Sequence, residues 1–277
     1  MLSNVLFVDF YSSIINKNHE KFVSDMDKIK KSWNYWGEND PYYAVVTFDE
    51  YRKENLTESN KEAFFQTGYD HLNKLWAEIE NNLVENFKPR RGLDFGCGVG
   101  RVVIPLAERC EKVVGVDISE LMIEEAVRNC ERRKIANTEF LQTDEFLSGT
   151  VGEFDFVHSF IVFQHINPLQ GEKILIKIIE SLSVGGIGVL HFTYANAPDD
   201  RSFWRFRIYR DYPIVNQLKN LVRGGSKEPL IPMYIYNLNK IFSLMQENDC
   251  HKCSVLFSFH GMNGVVIIFQ KTKNLNF

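Results

Sequence analysis

The sequence lacks the features that define several broad classes of protein. No apolar run reaches the length needed to cross a membrane. The apolar start, MLSNVLFVDFYSSII, has no basic region and no A-x-A-like cleavage site, so it does not resemble a signal peptide. Basic residues are not in excess, since 32 Lys and Arg stand against 36 Asp and Glu, which argues against a nucleic-acid partner. We therefore expect a cytoplasmic protein with no transmembrane segment.

Cysteines are also too few to indicate a disulfide framework or a metal site. The chain has five, an odd number, and with 277 residues, 44% of them hydrophobic, it can bury a full core without disulfides. Cys250 and Cys253 form a lone C-x-x-C with no second Cys or His pair at zinc-finger spacing. We therefore expect reduced thiols, no bound metal, and one domain with at most an appendage.

From about residue 89 onward, strand patterns alternate with helical patterns. The strand patterns are GLDF, KVVGVDI, TEFLQTD, FDFVHSFIVF and IGVLHFTY. The last intervening helix, EKILIKIIESL, is predicted to end at Gly185 and Gly186. This alternation predicts an α/β fold with a parallel sheet covered on both faces. The final run, CSVLFSFHGMNGVVIIFQKT, predicts an antiparallel pair that adds a reversed strand at the C-terminal edge.

The chain before residue 89 has a different pattern. The stretch ESNKEAFFQTGYDHLNKLWAEIENNLVENF repeats apolar residues at helical spacing, and no low-complexity linker follows it. We therefore predict an N-terminal helical cap over residues 1–88 that packs on the sheet. The sheet domain is predicted over residues 89–277, with an insertion at about 195–245.

Three glycines at alternate positions, Gly96, Gly98 and Gly100, follow the first strand pattern. A glycine-rich turn between a parallel strand and a helix presents backbone N–H groups at the sheet edge where α/β folds bind ligands. Dinucleotide-binding enzymes use G-x-G-x-x-G at this place, whereas this sequence has G-x-G-x-G with Asp94 just before it. An acid so close would repel a pyrophosphate but suits an ammonium group. The loop therefore predicts a zwitterionic cofactor.

These motifs, over about residues 90–272, resemble the class I S-adenosylmethionine-dependent methyltransferases. The resemblance implies a doubly wound, mostly parallel seven-stranded sheet with a reversed C-terminal strand. It also implies S-adenosyl-L-methionine as cofactor and S-adenosyl-L-homocysteine as product. DFGCGVG is similar to the first motif of the family, in which Asp94 meets the methionine ammonium. The backbone of Gly96, Cys97, Gly98 and Gly100 then lies beneath the methionine and ribose.

The resemblance also assigns roles to residues after the later strands. Asp117 ends the second strand, where the family's acid takes both ribose hydroxyls, and Ile118 then packs on adenine. Asp144, with Glu145 beside it, matches the position near the adenine amino group, and Ser159 and Phe160 match positions near the methionine end. Two alternatives stay open, because Asp117 could merely cap the next helix and Asp144 could be a solvated loop acid.

His165 is the candidate general base. It follows the fourth strand in FIVFQHI, on the edge where the cofactor's methyl group should point, and its ordinary pKa suits proton transfer near neutral pH. Gln164 is the candidate to orient an acceptor. The alternative is that His165 caps the following turn. His158 and His191 fall inside strand patterns and are interpreted as core or sheet-face residues.

Two segments could close the site. WNYWGENDPYY supplies Trp33, Trp36, Tyr42 and Tyr43, which could form an apolar lid or could equally pack the cap on the sheet. The predicted insertion is rich in arginine, and Arg205 and Arg207 could bind an anionic acceptor, since guanidinium groups suit phosphate and carboxylate. A membrane-surface contact, an oligomer contact and a solvated basic face are the alternatives for this insertion.

The absence of one family motif narrows the class of methyl acceptor. HSFIVF stands where amino-directed nucleic-acid methyltransferases carry N/D-P-P-Y/F, so a small-molecule acceptor is expected, with oxygen as the favoured methyl acceptor. The rival hypotheses are a non-catalytic S-adenosylmethionine-binding sensor or partner subunit, and a nicotinamide-dependent oxidoreductase. A homodimer is left open.

Overall fold

The structure, a computed structural model, describes residues 27–148, 154–196, 228–229 and 231–273. The N-terminal part of the described chain is helical, as the apolar periodicity predicts. Helix α1 runs through residues 27–39, α2 spans Pro41–Val45 and α3 spans Glu58–Asn82, with a 3-10 turn at Asp49–Tyr51. Helix α3 begins where the Thr57 hydroxyl accepts a hydrogen bond from the backbone N–H of Asn60.

Seven strands form one sheet in the order β3-β2-β1-β4-β5-β7-β6. Their bounds are β1 Arg91–Phe95, β2 Lys112–Asp117, β3 Thr138–Gln142, β4 Phe154–Ser159, β5 Leu182–Asn196, β6 Lys252–Phe259 and β7 Met262–Gln270. The first five strands are parallel, and β7 runs antiparallel to both β5 and β6. The predicted seven-stranded sheet with a reversed C-terminal strand is therefore confirmed.

Helices connect the strands and cover both faces of the sheet. Their bounds are α4 Val103–Ala107, α5 Glu120–Arg132, α6 Thr143–Ser148, α7 Pro168–Ser181 and α8 Leu238–Glu247, with a 3-10 turn at Phe163–His165. The predicted end of α7 at the glycine pair is wrong. The backbone is already extended at Leu182, where β5 begins, and Gly185 lies inside that strand with a φ of 89°.

The sheet has a hydrophobic core on each face. On one face, Phe64 of α3 and Ile104 of α4 belong to the same buried cluster as Phe156 of β4, so the N-terminal helices pack on the sheet. On the other face, Leu93 of β1 is buried with Ile178 of α7. Because side chains alternate along a strand, β1 directs Leu93 to the second face and Asp94 to the face covered by α3.

No helix among the described residues is long and apolar enough to cross a membrane.

Candidate functional site

The loop after β1 passes unusually close to the segment after β4. The backbone N–H groups of Gly96 and Cys97 both donate to the carbonyl of Val116 at the end of β2, at 2.7 and 3.0 Å. Gly96 has a φ of 79°, and a Cβ atom added to it would lie 2.2 Å from a methyl carbon of Val162. Only glycine fits this position without displacing either segment.

Asp117 ends β2 with its carboxylate buried under the same loop. One oxygen accepts a hydrogen bond from the backbone N–H of Gly98 and the other from that of Ser119, both at 2.9 Å. The residue is 8% exposed, and burial raises the pKa of the carboxyl to about 6, although the backbone hydrogen bonds oppose that rise. The group is therefore mainly ionised at neutral pH.

A cleft of about 910 Å³, including its open mouth, lies at the carboxyl ends of the parallel strands. This is the edge at which open α/β sheets bind ligands. The loops after β1 and β2 form one side of it, and the segment after β4 forms the other, with α1 and α2 above. The lining residues are Ile29, Trp33, Ala44, Val45, Phe95, Gly96, Gly98, Asp117, Ile118, Met122, Thr143, Phe160, Ile161, Val162, His165, Ile166 and Ile174.

His165 reaches this cleft from the 3-10 turn after β4. Its Nδ1 lies 3.0 Å from the carbonyl oxygen of Pro232, and its Nε2 lies 3.1 Å from the amide nitrogen of Gln164. A carbonyl only accepts hydrogen bonds, so Nδ1 carries the proton and Nε2 keeps its lone pair. Burial lowers the pKa of the imidazole to about 4, so the ring is neutral at pH 7.

A pair of histidines, His71 and His158, lies on the α3 face of the sheet. Asp94 and His158 are neighbours in the register of β1 and β4, and the Nδ1 of His158 lies 2.7 Å from a carboxylate oxygen of Asp94. The Nε2 of His158 lies 2.9 Å from the Nε2 of His71 on α3. Both Asp94 and His158 are almost fully buried. Carboxylate and imidazoles therefore form one continuous hydrogen-bonded chain.

Imidazole rings surround Phe160 where β4 ends. The ring centroids of His71, His191 and His260 lie 4.3, 5.0 and 5.2 Å from that of Phe160. Nowhere in the described residues do three or more His, Cys, Asp or Glu side chains stand close enough together to hold a metal ion.

A match to a known protein family agrees with the observed fold. Residues 93–186, from β1 into β5, match the methyltransferase domain family. The structure is similar to the magnesium protoporphyrin IX methyltransferase of Synechocystis PCC 6803 solved with bound SAH, with a TM-score of 0.57 and 18% identity. That similarity covers 88% of this chain and 98% of the other.

The matched segment, about a third of the chain, is similar to methyltransferase domains. The curated relatives match a smaller part of this chain than the Synechocystis enzyme does. A ubiquinone biosynthesis O-methyltransferase of Methylocella silvestris is 27% identical over 154 residues, covering 54% of each chain. A 23S rRNA (uracil-C5)-methyltransferase of Alcanivorax borkumensis is 35% identical over 69 residues, covering 25% of this chain and 16% of the relative. This chain thus spans about half or less of the length of these relatives.

Five of the predicted cofactor-binding residues line the cleft. Of the predicted cofactor residues, Gly96, Gly98, Asp117 and Ile118 all line the cleft, and Phe160 faces them from the other side. Cys97 is buried behind the loop. The position where Gly100 would carry a Cβ faces α5, at 3.4 Å from the Cβ of Ala126. These two residues therefore shape the loop from behind.

The residues that line the cleft do not include Asp94, Asp144, Ser159 and Gln164. Asp144 is exposed at the start of α6, and its neighbour Thr143 lines the cleft. The side chain of Glu145 lies outside the described residues. Ser159 is 1% exposed, and its hydroxyl has no hydrogen-bond partner within the described chain. Gln164 is also buried and reaches the cleft only through His165.

The aromatic lid is only partly as predicted. Trp33 lines the cleft, whereas Tyr42 does not, and the Tyr42 hydroxyl bonds to Glu125 and Asn129 of α5 at 2.7 and 2.9 Å. Trp36 is buried and packs against Tyr43, so both belong to the packing of the cap, which was the alternative interpretation. Arg205 and Arg207, with most of the predicted insertion, lie outside the described residues.

Sequence patterns missed several residues that shape the site. Met122 and His71 lie on amphipathic helices, where an apolar or mixed position gives no sign of a ligand site. The carbonyl of Pro232 comes from a segment held beside the 3-10 turn by the hydrogen bond from Tyr234 N–H to the Gln164 carbonyl, at 2.7 Å. No local pattern reveals a backbone partner 67 residues away in the chain.

Proposed function

We propose that the protein transfers a methyl group from S-adenosylmethionine to a hydroxyl oxygen of a small polar or anionic molecule, with His165 as general base. One observation carries this proposal. The cleft joins the glycine loop and Asp117 on one side to a neutral, hydrogen-bonded imidazole on the other. A cofactor site and a proton acceptor therefore face the same space.

The residues on the first side fit the cofactor. Gly96 and Gly98 leave no side chain between the loop backbone and the cleft, so the ribose of the cofactor can approach that backbone closely. The buried Asp117 carboxylate accepts one backbone N–H at each oxygen and has lone pairs left for the two hydroxyls of a ribose. Ile118 offers an apolar surface for adenine. When bound, S-adenosylmethionine supplies an activated methyl group.

His165 is arranged to take a proton. Its Nε2 lone pair accepts a hydrogen bond from the Gln164 amide. The hydroxyl of a bound substrate would take the place of that amide. Once Nε2 is protonated, the carbonyl of Pro232 still accepts the Nδ1 proton and so stabilises the imidazolium. Trp33, Ile161 and Val162 line the cleft beside this ring and exclude water from it. A well-placed base contributes about 10²- to 10⁴-fold to the rate.

The relatives support the substrate class without deciding it. The ubiquinone biosynthesis enzyme is an O-methyltransferase, and the magnesium protoporphyrin enzyme also acts on a small molecule. The rRNA methyltransferase matches a much shorter part of this chain. A small molecule is therefore the proposed acceptor, and RNA is a separate outcome of the test.

The test measures transfer of radiolabelled methyl from S-adenosylmethionine into a cell extract, separated into small polar, lipid and macromolecular fractions. We expect label in a small-molecule fraction, lost by about 100-fold or more in His165→Ala. The matched control is His251→Ala, because His251 is exposed and precedes β6 at the opposite edge of the sheet. Its rate should equal that of the wild type.

The pH dependence gives a second readout. His165 is neutral above its pKa of about 4, so its ability to accept a proton is lost only as the pH falls through about 4. Label in RNA would contradict the small-molecule acceptor, and an unchanged rate in His165→Ala would contradict its role as base. Cofactor binding without transfer to any fraction would favour the non-catalytic sensor.

A further inference from the structure

We propose that His158, oriented by His71, is a positioning residue that holds the Asp94 carboxylate for the ammonium group of the cofactor. This inference rests on the proposed function, because it concerns the same cofactor. It goes further by giving a role to two histidines that neither line the cleft nor belong to any motif recognised in the sequence. It also assigns the two oxygens of Asp94 to different tasks.

The first step is the contact between Asp94 and His158. The two residues are partners in the register of adjacent parallel strands, and both side chains point to the α3 face. His158 Nδ1 lies 2.7 Å from Oδ1 of Asp94, with 1% and 3% of the two residues exposed. An ionised carboxylate only accepts, so His158 donates through Nδ1. His158 thereby occupies Oδ1, and Oδ2 is the oxygen that would meet a bound ammonium group.

The second step is the contact between the two imidazoles. The Nε2 of His158 lies 2.9 Å from the Nε2 of His71, so one of these two nitrogens donates a hydrogen bond to the other. Burial lowers the pKa of His71 to about 2, so this ring is neutral at physiological pH. This contact holds the His158 ring in the orientation that donates to Asp94, as outer partners do for other functional histidines.

The third step is the nearby positive charge. Arg101 lies close enough to Asp94 for their charges to interact, and its Nε has no hydrogen-bond partner within the described chain. If the Asp94 carboxylate were free to turn about its χ2, it could pair with this guanidinium. It would then no longer be available to a ligand. The hydrogen bond from His158 opposes that rotation, so the chain of Asp94, His158 and His71 keeps the acid available.

The test compares two ligands that differ in the amino-acid group, whose ammonium Asp94 should bind. S-adenosylhomocysteine carries the ammonium group, whereas methylthioadenosine has the same nucleoside and sulfur without the amino-acid group. His158→Gln places its amide away from the Nδ1 position, and its matched control, His158→Asn, places an N–H donor there. We expect His158→Gln to weaken S-adenosylhomocysteine binding by about 10-fold or more, as for a lost hydrogen bond to a charged group. Methylthioadenosine binding should stay within about 2-fold, by calorimetry.

The controls separate positioning from folding. His158→Asn should bind both ligands within about 3-fold of the wild type, and His71→Leu should show a smaller loss of about 3-fold, again confined to S-adenosylhomocysteine. Equal losses for both ligands, or no loss for either, in His158→Gln would overturn the inference. Equal effects of His71→Leu on both ligands would overturn the role of His71. A wild-type protein that binds neither ligand would overturn the proposed function itself.

Discussion

The two sides of the cleft are built in different ways. The loop side, which consists of Gly96, Gly98, Asp117 and Ile118, comes from turns directly after β1 and β2 and is held by backbone hydrogen bonds to those strands. The base side, which consists of residues 160–166, depends on Pro232 and on Trp33, which are far away in the chain. The loop side is therefore local in sequence, and the base side is assembled by tertiary packing.

The largest expected effect on cofactor affinity comes from adding a side chain where the two sides are in closest contact. Gly96→Ala adds a Cβ that would lie 2.2 Å from Val162, at a φ of 79°. We expect S-adenosylhomocysteine affinity to fall by about 100-fold, because strain and steric overlap together displace the loop. Calorimetry measures this loss.

The double variant sharpens the result. Val162→Ala removes the overlap but leaves the positive φ, so Gly96→Ala/Val162→Ala should recover about 10-fold of the lost affinity. Unchanged affinity in Gly96→Ala would contradict the close approach of the two sides.

A smaller effect is expected when the loop side loses its charge. Asp117→Asn should weaken S-adenosylhomocysteine binding by about 30-fold, since hydrogen bonds to a charged acceptor are the stronger ones. The affinity of the wild type should fall as the pH drops through about 6, where this carboxyl becomes protonated, and the variant should lack that dependence.

The same substitution should stabilise the free protein. The folded carboxyl has a pKa of about 6 against an ordinary 3.8, so the native state binds the proton more tightly and loses stability as the pH rises between these values. At neutral pH, Asp117→Asn removes a penalty of at most about 3 kcal/mol, and the melting temperature should rise. A lower melting temperature would mean that the backbone hydrogen bonds outweigh desolvation.

The smallest effect is expected on the base side. Trp33 meets the His165 ring edge-on, with centroids 5.4 Å apart. Since such pairs contribute about 0.5–1.5 kcal/mol, Trp33→Leu should lower kcat/KM for the acceptor by about 3- to 10-fold. Cofactor affinity should change less than this. A larger change in cofactor affinity than in acceptor kinetics would assign Trp33 to the loop side.

The prediction of the fold succeeded where short patterns repeat. Alternating apolar runs predicted the seven strands and the reversed β7. The sequence left the role of Tyr42 open, because an aromatic ring suits a lid and a core equally well. Only its hydrogen bonds to Glu125 and Asn129 decide between the two.

By itself, the sequence determined the loop side of the cleft. A glycine loop after one strand and an acid after the next meet at the same edge of a parallel sheet, because all the carboxyl ends lie there. Tertiary structure alone decided which histidines face which partner. His158 and His165 are seven residues apart, yet one points into the α3 face beside Asp94 and the other into the cleft beside Pro232. The physical reason is that a partner's distance, burial and charge depend on packing between segments that are remote in the chain.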